Sequence, residues 1–279
     1  MGVFNAREAA NRQFRDPVTD GYGSTFPFSR GFFTDVNIPL WEPYRSEVLD
    51  KGMVQLYYGC FVVKSKGKIV LVDTGIGPGP ISTRGDKKGD LLNDLGRQGI
   101  EPEEIDIVVH SHLHIDHVGW NLDLFLDPPR PYFPNARYLV PSIEWDYFTR
   151  PENLINAPWV SESVMPLETL SLMDLFGGGF NVTDEITSLL TPGHMSFLLN
   201  SGGQKAAIVG DAIHSKVPIS EPSWCAGVDI DKTASERSRR DLIERSVSQG
   251  IILAAGHFNP DEHFGRVHRH DEAMSWETV

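Results

Sequence analysis

The chain has little cysteine, little basic charge and no long apolar run. Its 279 residues include 2 cysteines, and neither lies in a Cys-x-x-Cys pair, which excludes a nucleic-acid-binding zinc finger. Lys and Arg number 25 against 38 Asp and Glu, giving a formal net charge of -13, and no basic cluster stands out. Binding to nucleic acid or to an anionic membrane requires such clusters. We therefore expect a small-molecule substrate rather than a nucleic acid or a membrane.

The lack of a long apolar run also bears on where the protein is located in the cell. No apolar stretch approaches the length of about 20 residues that spans a bilayer, and residues 1–8 lack a basic-then-apolar signal pattern. We predict a cytoplasmic protein in which Cys60 and Cys225 are reduced thiols rather than a disulfide.

Length and composition favour one main domain. A chain of 279 residues with 40% hydrophobic content is large enough to bury a substantial core. Residues 1–35 contain Gly, Pro and Phe without a steady period, so we interpret them as an irregular N-terminal arm. Residues 36–279 are then a single catalytic domain. The arm can pack against a partner subunit or roof a pocket, which leaves a homo-oligomer open.

Local patterns predict several secondary-structure elements. They are a strand pair at Met53–Val63 and Lys68–Asp73 with Lys66-Gly67 as its turn, a helix at Asp90–Arg97 that ends before Gly99, a short helix capped by Ser142, an insertion at 149–180 on the substrate side, and a helix at Asp231–Gln249 that ends at Gly250.

The run His112-Leu113-His114-Ile115-Asp116-His117 holds four potential metal ligands and follows the strand-like segment 105–109. Side chains two positions apart in an extended chain point the same way, so His112 and His114 can bind one metal. A turn then brings Asp116 and His117 toward a second metal. This loop predicts the start of a two-metal site.

Three later strand-like runs each lead to a glycine and a further potential ligand. They are 186–190 before Gly193-His194, 206–209 before Gly210-Asp211, and 251–255 before Gly256-His257. Because glycine lets the backbone turn sharply at a strand end, each ligand is delivered to a common edge.

In this order, the residues resemble the signature of the metallo-β-lactamase superfamily: His-x-His-x-Asp-His, a later His, a later Asp and a final His. The segment 70–75 also resembles an early strand-turn motif of that superfamily, and the resemblance covers roughly residues 54–267. It implies an α/β fold, the four-layer αββα sandwich, with metals at one edge between the sheets. It also implies a first metal held by His112, His114 and His194, a second held by Asp116, His117 and His257, and Asp211 as the bridge.

Two divalent ions about 3.5 to 4 Å apart lower the pKa of a bridging water, hold it as hydroxide and polarise a carbonyl or phosphoryl oxygen. We therefore expect a dinuclear metal-dependent hydrolase in which Asp116 and Asp211 also orient the hydroxide. Zinc is the default ion because imidazole and carboxylate suit it, although Mn, Fe, Co and Ni also occupy such sites.

Three further residues are predicted to act beside the metals. We expect Asp73 to fix a ligand imidazole, with capping of the following turn as the alternative. We expect Trp120, which follows His117 by three positions, to line the substrate pocket. We expect His214 to stabilise an oxyanion or protonate a leaving alkoxide, with bracing of its loop as the alternative. Four other histidines are interpreted as surface or hydrogen-bonded residues: His110, His263, His268 and His270.

Within the superfamily, the motifs most resemble the branch of N-acyl homoserine lactonases and methyl parathion hydrolase-like enzymes. The classical lactonases carry Tyr three positions after the bridging Asp, where this chain has His214. Many relatives duplicate a Pro-Gly-His motif that occurs once here, at 192–194. These departures favour the parathion hydrolase-like side of the branch, and the acidic charge and aromatic loops favour a neutral lactone or carboxylic ester.

Several alternatives remain. A phosphotriester or thioester hydrolase of the same fold is the first, and a glutathione thioester would require basic residues such as Lys216, Arg266 and Arg269. A diiron redox protein is disfavoured by the absence of a flavin or rubredoxin-like segment, and a non-catalytic metal-binding protein by the complete ligand set. An aspartic protease needs two Asp-Thr-Gly motifs, and this sequence contains a single one, at residues 73–75. That class is therefore disfavoured.

Overall fold

The computed structural model describes most of the chain beyond its first 31 residues. The described residues are 18–19, 25–27, 32–33, 35–45, 49–50, 53–79, 88–191, 193–271 and 273–279. Most of the predicted arm at 1–35, and Pro192 of the motif at 192–194, lie outside these residues.

Eighteen strands and seven α-helices are described, several of them very short. The strands are β1 Val18–Thr19, β2 Thr25–Pro27, β3 Leu49–Asp50, β4 Met53–Gln55, β5 Gly59–Ser65, β6 Lys68–Val72, β7 Ile107–Val109, β8 Leu122–Asp123, β9 Arg130–Pro131, β10 Arg137–Pro141, β11 Met173–Phe176, β12 Asn181–Thr183, β13 Ile186–Thr191, β14 His194–Ser201, β15 Gln204–Ile208, β16 Ile252–Ala254, β17 Phe264–His270 and β18 Ala273–Thr278. The helices are α1 Leu91–Arg97, α2 Ser142–Phe148, α3 Pro151–Leu154, α4 Pro158–Ser163, α5 Met165–Thr169, α6 Val217–Ser220 and α7 Lys232–Gln249.

Two large sheets form the centre of the molecule. The first has strand order β1-β5-β6-β7-β10-β11 and the second β12-β13-β14-β15-β16-β17-β18. Buried side chains from both sheets pack between them, with Phe61, Val72 and Val109 from the first and Phe197 and Ile208 from the second. This apolar layer is the main core, since burial of such side chains is the dominant favourable contribution to folding.

Helices cover the outer faces of both sheets. Leu91 and Leu95 of α1 pack on the first sheet with Leu71, and Leu242 and Ile243 of α7 pack on the second. The layers are therefore helix, sheet, sheet, helix, which confirms the predicted αββα sandwich.

The long helix α7 has the predicted boundaries. The Asp231 carboxylate accepts a hydrogen bond from the backbone N–H of Ala234 and so caps its first turn. At the other end, Gly250 has a φ of 66°, a left-handed conformation that glycine adopts without a Cβ penalty. The predicted β5–β6 hairpin and the helix that ends at Arg97 are also present.

Two predictions about local structure differ from what is observed. Ser142 lies inside α2, whose N-cap is Pro141, so it does not cap the helix. The predicted strand at Met53–Val63 is two strands, β4 and β5, separated by residues 56–58. The arm at 1–35 stays a prediction; among its described residues, β1 pairs with β5 and β2 with β4, and Phe32 and Phe33 are buried beside Trp41. Among the described residues, none of the helices has the length and apolar character needed to cross a membrane.

Candidate metal centre

The loop after β7 gathers its histidines at one edge of the first sheet. His112 is fully buried, and its Nε2 lies 2.9 Å from Nδ1 of His114. The His112 ring centroid also lies 4.5 Å from that of His194, at the start of β14. We call His112, His114 and His194 the first ligand group. The 2.9 Å separation is that of a hydrogen bond between the two rings, and with the third imidazole alongside it places three potential ligands in one cluster.

A second ligand group lies beside the first. Ligand atoms of Asp116, His117 and His257 all fall within 4.8 Å of one another, and so do those of His112, His114 and Asp211. His257 comes directly after β16 and a glycine, as the sequence predicts for a ligand at a strand end.

The Asp211 carboxylate lies between the two groups. Its Oδ1 is 2.9 Å from Nε2 of His257 and 3.2 Å from Nε2 of His117. Its Oδ2 is 3.4 Å from Nε2 of His112 and 3.2 Å from Nε2 of His214. Each carboxylate oxygen thus faces a different set of imidazoles, which is the arrangement that a bridging ligand requires.

Burial and nearby charges lower the pKa of some candidate ligand histidines and raise the pKa of others. Burial and repulsion from a neighbouring imidazole lower the pKa of all three histidines in the first ligand group, that of His114 to about 3. Burial also disfavours charge on His117 and His257, but the nearby Asp211 carboxylate raises the pKa of both above its usual value. Burial opposes ionisation of Asp211 itself, and His257 and His117 nevertheless hold its pKa well below the ordinary range.

Several buried polar atoms of the cluster have no hydrogen-bond partner among the described residues. Nδ1 of His194 is one of them. Nε2 of His117 and Oδ1 of Asp211 lie 3.2 Å apart but do not meet hydrogen-bond geometry. Buried polar atoms are normally satisfied, and an unsatisfied one calls for an explanation such as an ion. Imidazole nitrogens and carboxylate oxygens are ligands that zinc accepts. The residues present therefore fit a metal centre.

Asp73 supports the second ligand group from behind. Its Oδ2 lies 2.9 Å from Nδ1 of His117, and its two oxygens accept hydrogen bonds from the backbone N–H and the hydroxyl of Ser111, each at 2.7 Å. Burial alone would raise the pKa of Asp73, but the charge of His117 lowers it far below its usual value. The carboxylate therefore holds the imidazole of His117, and its role in orienting a ligand stays a prediction.

His214 is buried against the centre. Its ring stacks on that of His257 with centroids 5.5 Å apart, and the Phe32 ring meets it edge-on at 4.8 Å. Neither ring nitrogen has a hydrogen-bond partner among the described residues. Asp211, His214 and His257 also lie close enough together to hold an ion. The geometry thus brings His214 to the centre, with its Nε2 3.2 Å from Oδ2 of Asp211.

One side of the centre is open to solvent. Of the seven candidate ligands, His114 and Asp116 are partly exposed and the other five are buried. The Phe148 ring lies 6.0 Å from that of His114.

Trp120 does not lie where it was predicted to, in the wall of the substrate pocket. Its ring packs in the hydrophobic cluster under the first sheet, 5.0 Å from the ring of Tyr132, and it is 7% exposed. The reason is the path of the chain. The backbone N–H of Trp120 donates a hydrogen bond to the carbonyl of Thr74, so this segment runs along the early strand-turn motif. Trp120 is therefore a core residue and not a wall of the pocket.

The other four histidines were predicted to be surface or hydrogen-bonded residues, and three of them are: His268, His270 and His263. His268 and His270 are at the surface, whereas His110 and His263 are fully buried. His263 hydrogen-bonds through Nε2 to the carbonyl of Phe258 at 2.7 Å, and Nδ1 of His110 lies 3.8 Å from the Asp73 carboxylate.

The three basic residues considered for thioester recognition are engaged elsewhere. Lys216 pairs with Glu262 at 2.5 Å, Arg269 pairs with Glu244, and Arg266 donates to the carbonyl of Gly250. These contacts weaken the case for a glutathione thioester.

Sequence reasoning missed contacts made by backbone groups and by distant helices. His257 hydrogen-bonds through Nδ1 to the carbonyl of Tyr57 at 2.7 Å, and no residue type in the sequence signals that contact. Glu144 and Trp159 contact the peptide of Leu113, between two ligand candidates. Their only signal is position, in the helices that follow β10.

The sequence matches a known family over most of its length. The profile described as the metallo-beta-lactamase superfamily matches residues 57–257. Mouse metallo-beta-lactamase domain-containing protein 1 is 31% identical over 196 residues, which cover 68% of this chain and 60% of the mouse protein. The N-acyl homoserine lactonase of Bacillus thuringiensis is 23% identical over 225 residues, covering 74% of this chain and 82% of the lactonase.

Solved structures show the same fold. A hydrolase called AbOPH, of the beta lactamase superfamily, superposes with a TM-score of 0.83 at 22% identity, covering 96% of each chain. AidC, a dizinc quorum-quenching lactonase in complex with a product, superposes with a TM-score of 0.77 at 21% identity, covering 94% of this chain and 92% of AidC.

Proposed function

The chain belongs to the metallo-beta-lactamase superfamily, and from that premise we propose that it is a dinuclear zinc hydrolase that cleaves a lactone or a carboxylic ester. The observation that carries the proposal is the position of Asp211, whose two oxygens face different imidazoles at 2.9 to 3.4 Å. Lactonases among the relatives and the dizinc centre named for AidC support the same conclusion.

We assign the ligands as follows. The first ligand group would hold one zinc ion and the second would hold the other, with the Asp211 carboxylate placed between the two groups. When bound, two such ions lower the pKa of water and polarise the acyl oxygen of the substrate. The lowered pKa of Asp211 keeps its carboxylate ionised for this role at neutral pH.

The chain's own residues would then position the reactants. Asp116, partly exposed at the open side, accepts a hydrogen bond from the attacking water. His214 donates a proton from a ring nitrogen to the leaving alkoxide, a role that contributes about 10² to 10⁴ in rate. Asp73 holds Nδ1 of His117 and so keeps that ring in its ligating orientation.

Two aromatic contacts favour a neutral substrate. Phe32 lies against His214 and Phe148 lies near His114, so rings border the centre on two sides. The net charge of -13 disfavours a polyanionic substrate such as a nucleic acid. A lactone or ester with an apolar group suits these surroundings.

We also propose a cytoplasmic location for the protein. Both cysteines, Cys60 and Cys225, are buried free thiols, as expected in a reducing compartment. The oligomeric state stays a prediction for size measurement in solution.

A substrate panel tests the proposed reaction. Zinc-reconstituted protein should hydrolyse the best lactone or carboxylic ester at least about tenfold faster than any β-lactam or phosphodiester, a barrier difference of roughly 1.4 kcal/mol. The panel should also include phosphotriesters and thioesters, and kcat/KM is compared for each class. A phosphodiester as the best substrate would contradict the proposal, and a phosphotriester would establish the alternative hydrolase.

A further inference from the structure

Leu113 lies between two ligands of the first group and is held by elements outside the sheets. Its side chain is fully buried with Phe148, Ala157 and Val160. These residues belong to α2, to α4 and to the turn before α4. We call residues 142–163, which span α2 to α4, the helical unit.

Both peptide groups of Leu113 are bound by side chains of the helical unit. The Glu144 carboxylate accepts a hydrogen bond from the Leu113 N–H at 3.1 Å. The Trp159 indole N–H donates to the Leu113 carbonyl at 2.8 Å. The donor, the acceptor and the side chain of this one residue are therefore all fixed from the same side.

This arrangement controls the separation of two ligands. His112 and His114 flank Leu113, so rotation of either Leu113 peptide plane moves one imidazole relative to the other. Their ring nitrogens lie 2.9 Å apart, and a metal site tolerates errors of only about 0.5 Å in ligand position. Fixing the Leu113 peptide groups therefore fixes the spacing of the two ligands.

We propose that Glu144 and Trp159 are positioning residues that set the zinc affinity of the first ligand group by clamping the peptide groups of Leu113. This inference rests on the proposed metal centre. It makes the helical unit part of that centre, although none of its side chains is assigned as a ligand.

The Glu144 contact needs an acceptor rather than a charge. Burial raises the pKa of Glu144 to about 7, so the surroundings of this carboxyl disfavour its charged form. A neutral carboxyl and a carboxamide both retain an oxygen that accepts the Leu113 N–H. Glu144→Gln should therefore preserve the clamp, and Glu144→Leu should remove it.

Matched variants separate the hydrogen bond from packing. Trp159→Phe removes the indole N–H and keeps an aromatic ring. Trp145→Phe is the control, because Trp145 packs in the same cluster and its indole N–H has no hydrogen-bond partner among the described residues. Melting temperatures of the metal-free proteins show that each variant is folded.

The test is zinc affinity, measured by chelator competition. In Trp159→Phe and Glu144→Leu, one of the two zinc affinities should fall by about tenfold or more, the size typical of lost support for a metal ligand. Glu144→Gln and Trp145→Phe should keep both affinities. In a His194→Ala background, which disables the first ligand group, Trp159→Phe should not weaken the remaining site further.

Two results would contradict the proposal that Glu144 and Trp159 set the zinc affinity of the first ligand group. One is unchanged zinc affinity in folded Trp159→Phe and Glu144→Leu. The other is an equal loss in Trp145→Phe, which would assign the effect to packing alone. A wild-type protein that binds fewer than two zinc ions would instead contradict the proposed dinuclear centre, so the two failures are distinguishable.

Discussion

The two ligand groups differ in how their imidazoles are supported. In the second group, Nδ1 of His117 faces the Asp73 carboxylate and Nδ1 of His257 faces the carbonyl of Tyr57. An imidazole that donates Nδ1–H to such an acceptor has a fixed orientation and a more basic Nε2. The second group is therefore organised through direct contacts with its rings.

The first group has weaker support at its rings. Nδ1 of His112 meets the Ser111 hydroxyl at 2.9 Å, and Nδ1 of His194 has no hydrogen-bond partner among the described residues. The main support comes instead through the peptide of Leu113. In the proposed centre, the second group would be fixed through its rings and His112 and His114 through their backbone, and only the ring contacts would make an imidazole more basic.

Removal of the shared carboxylate should affect both groups at once. Asp211→Ala leaves two cations without their common anion, so we expect loss of bound metal together with loss of nearly all activity. Elemental analysis and kcat/KM measure the two effects. Asp241→Ala is the control, since Asp241 forms an exposed ion pair with Arg245. One tightly bound metal in a fully active wild-type enzyme would contradict the dinuclear comparison itself.

The next largest effect should come from a residue outside both groups. His214→Ala should lower kcat by about 10² to 10⁴, the range for loss of a general acid or an oxyanion donor. Both metals should remain, because the seven ligands are intact. His214→Tyr should recover part of the rate if a hydroxyl reaches the same substrate atom.

Metal analysis decides between the two roles open to His214. Loss of metal in His214→Ala would reassign it as a ligand, in line with its closeness to Asp211 and His257. Unchanged turnover with both metals bound would leave it a bracing residue.

The fold and the grouping of the ligand candidates could be predicted from the sequence because the patterns that indicate them are local. The ligand candidates lie in the segments that follow β7, β15 and β16 or, for His194, at the start of β14, and these strand ends meet at one edge of the sheets. The direction of Trp120 could not be predicted, since it depends on a close crossing: a Cβ on Gly119 would lie 2.0 Å from the backbone carbon of Ile76. The carbonyl of Tyr57 and the helical unit act across long chain separations, which no local pattern encodes.

The pH dependence of metal binding should distinguish the groups. Because the pKa values of His117 and His257 are raised, these rings stay protonated above about pH 6.5, and zinc must displace their protons. Affinity at the second group should therefore rise with pH, by up to about 100-fold per unit while both rings are protonated. The first group has lowered pKa values, so its affinity should change little above about pH 6.5.

Calorimetric titration in two buffers of different protonation enthalpy measures the protons released at each step. We expect proton release at one of the two zinc-binding steps and almost none at the other. Equal proton release at both steps would contradict the division of the histidines into two classes.

A single substitution at Asp73 tests the difference in support between the two ligand groups most directly. Asp73→Asn keeps the shape of the side chain and removes the charge that faces Nδ1 of His117, so zinc affinity at the second group should fall by about 10- to 100-fold. Asparagine also tolerates the left-handed backbone at this position, where φ is 61°, so the loss does not arise from strain. Asp106→Asn is the control, because Asp106 forms a surface ion pair with Lys68. The first group reaches Asp73 only through the Ser111 hydroxyl, which contacts both the carboxylate and Nδ1 of His112, so its zinc affinity should fall less than that of the second group. The proton release assigned to His117 should shrink as the pKa of His117 falls. Equal weakening of both zinc sites would show that Asp73 stabilises the loop as a whole rather than one imidazole.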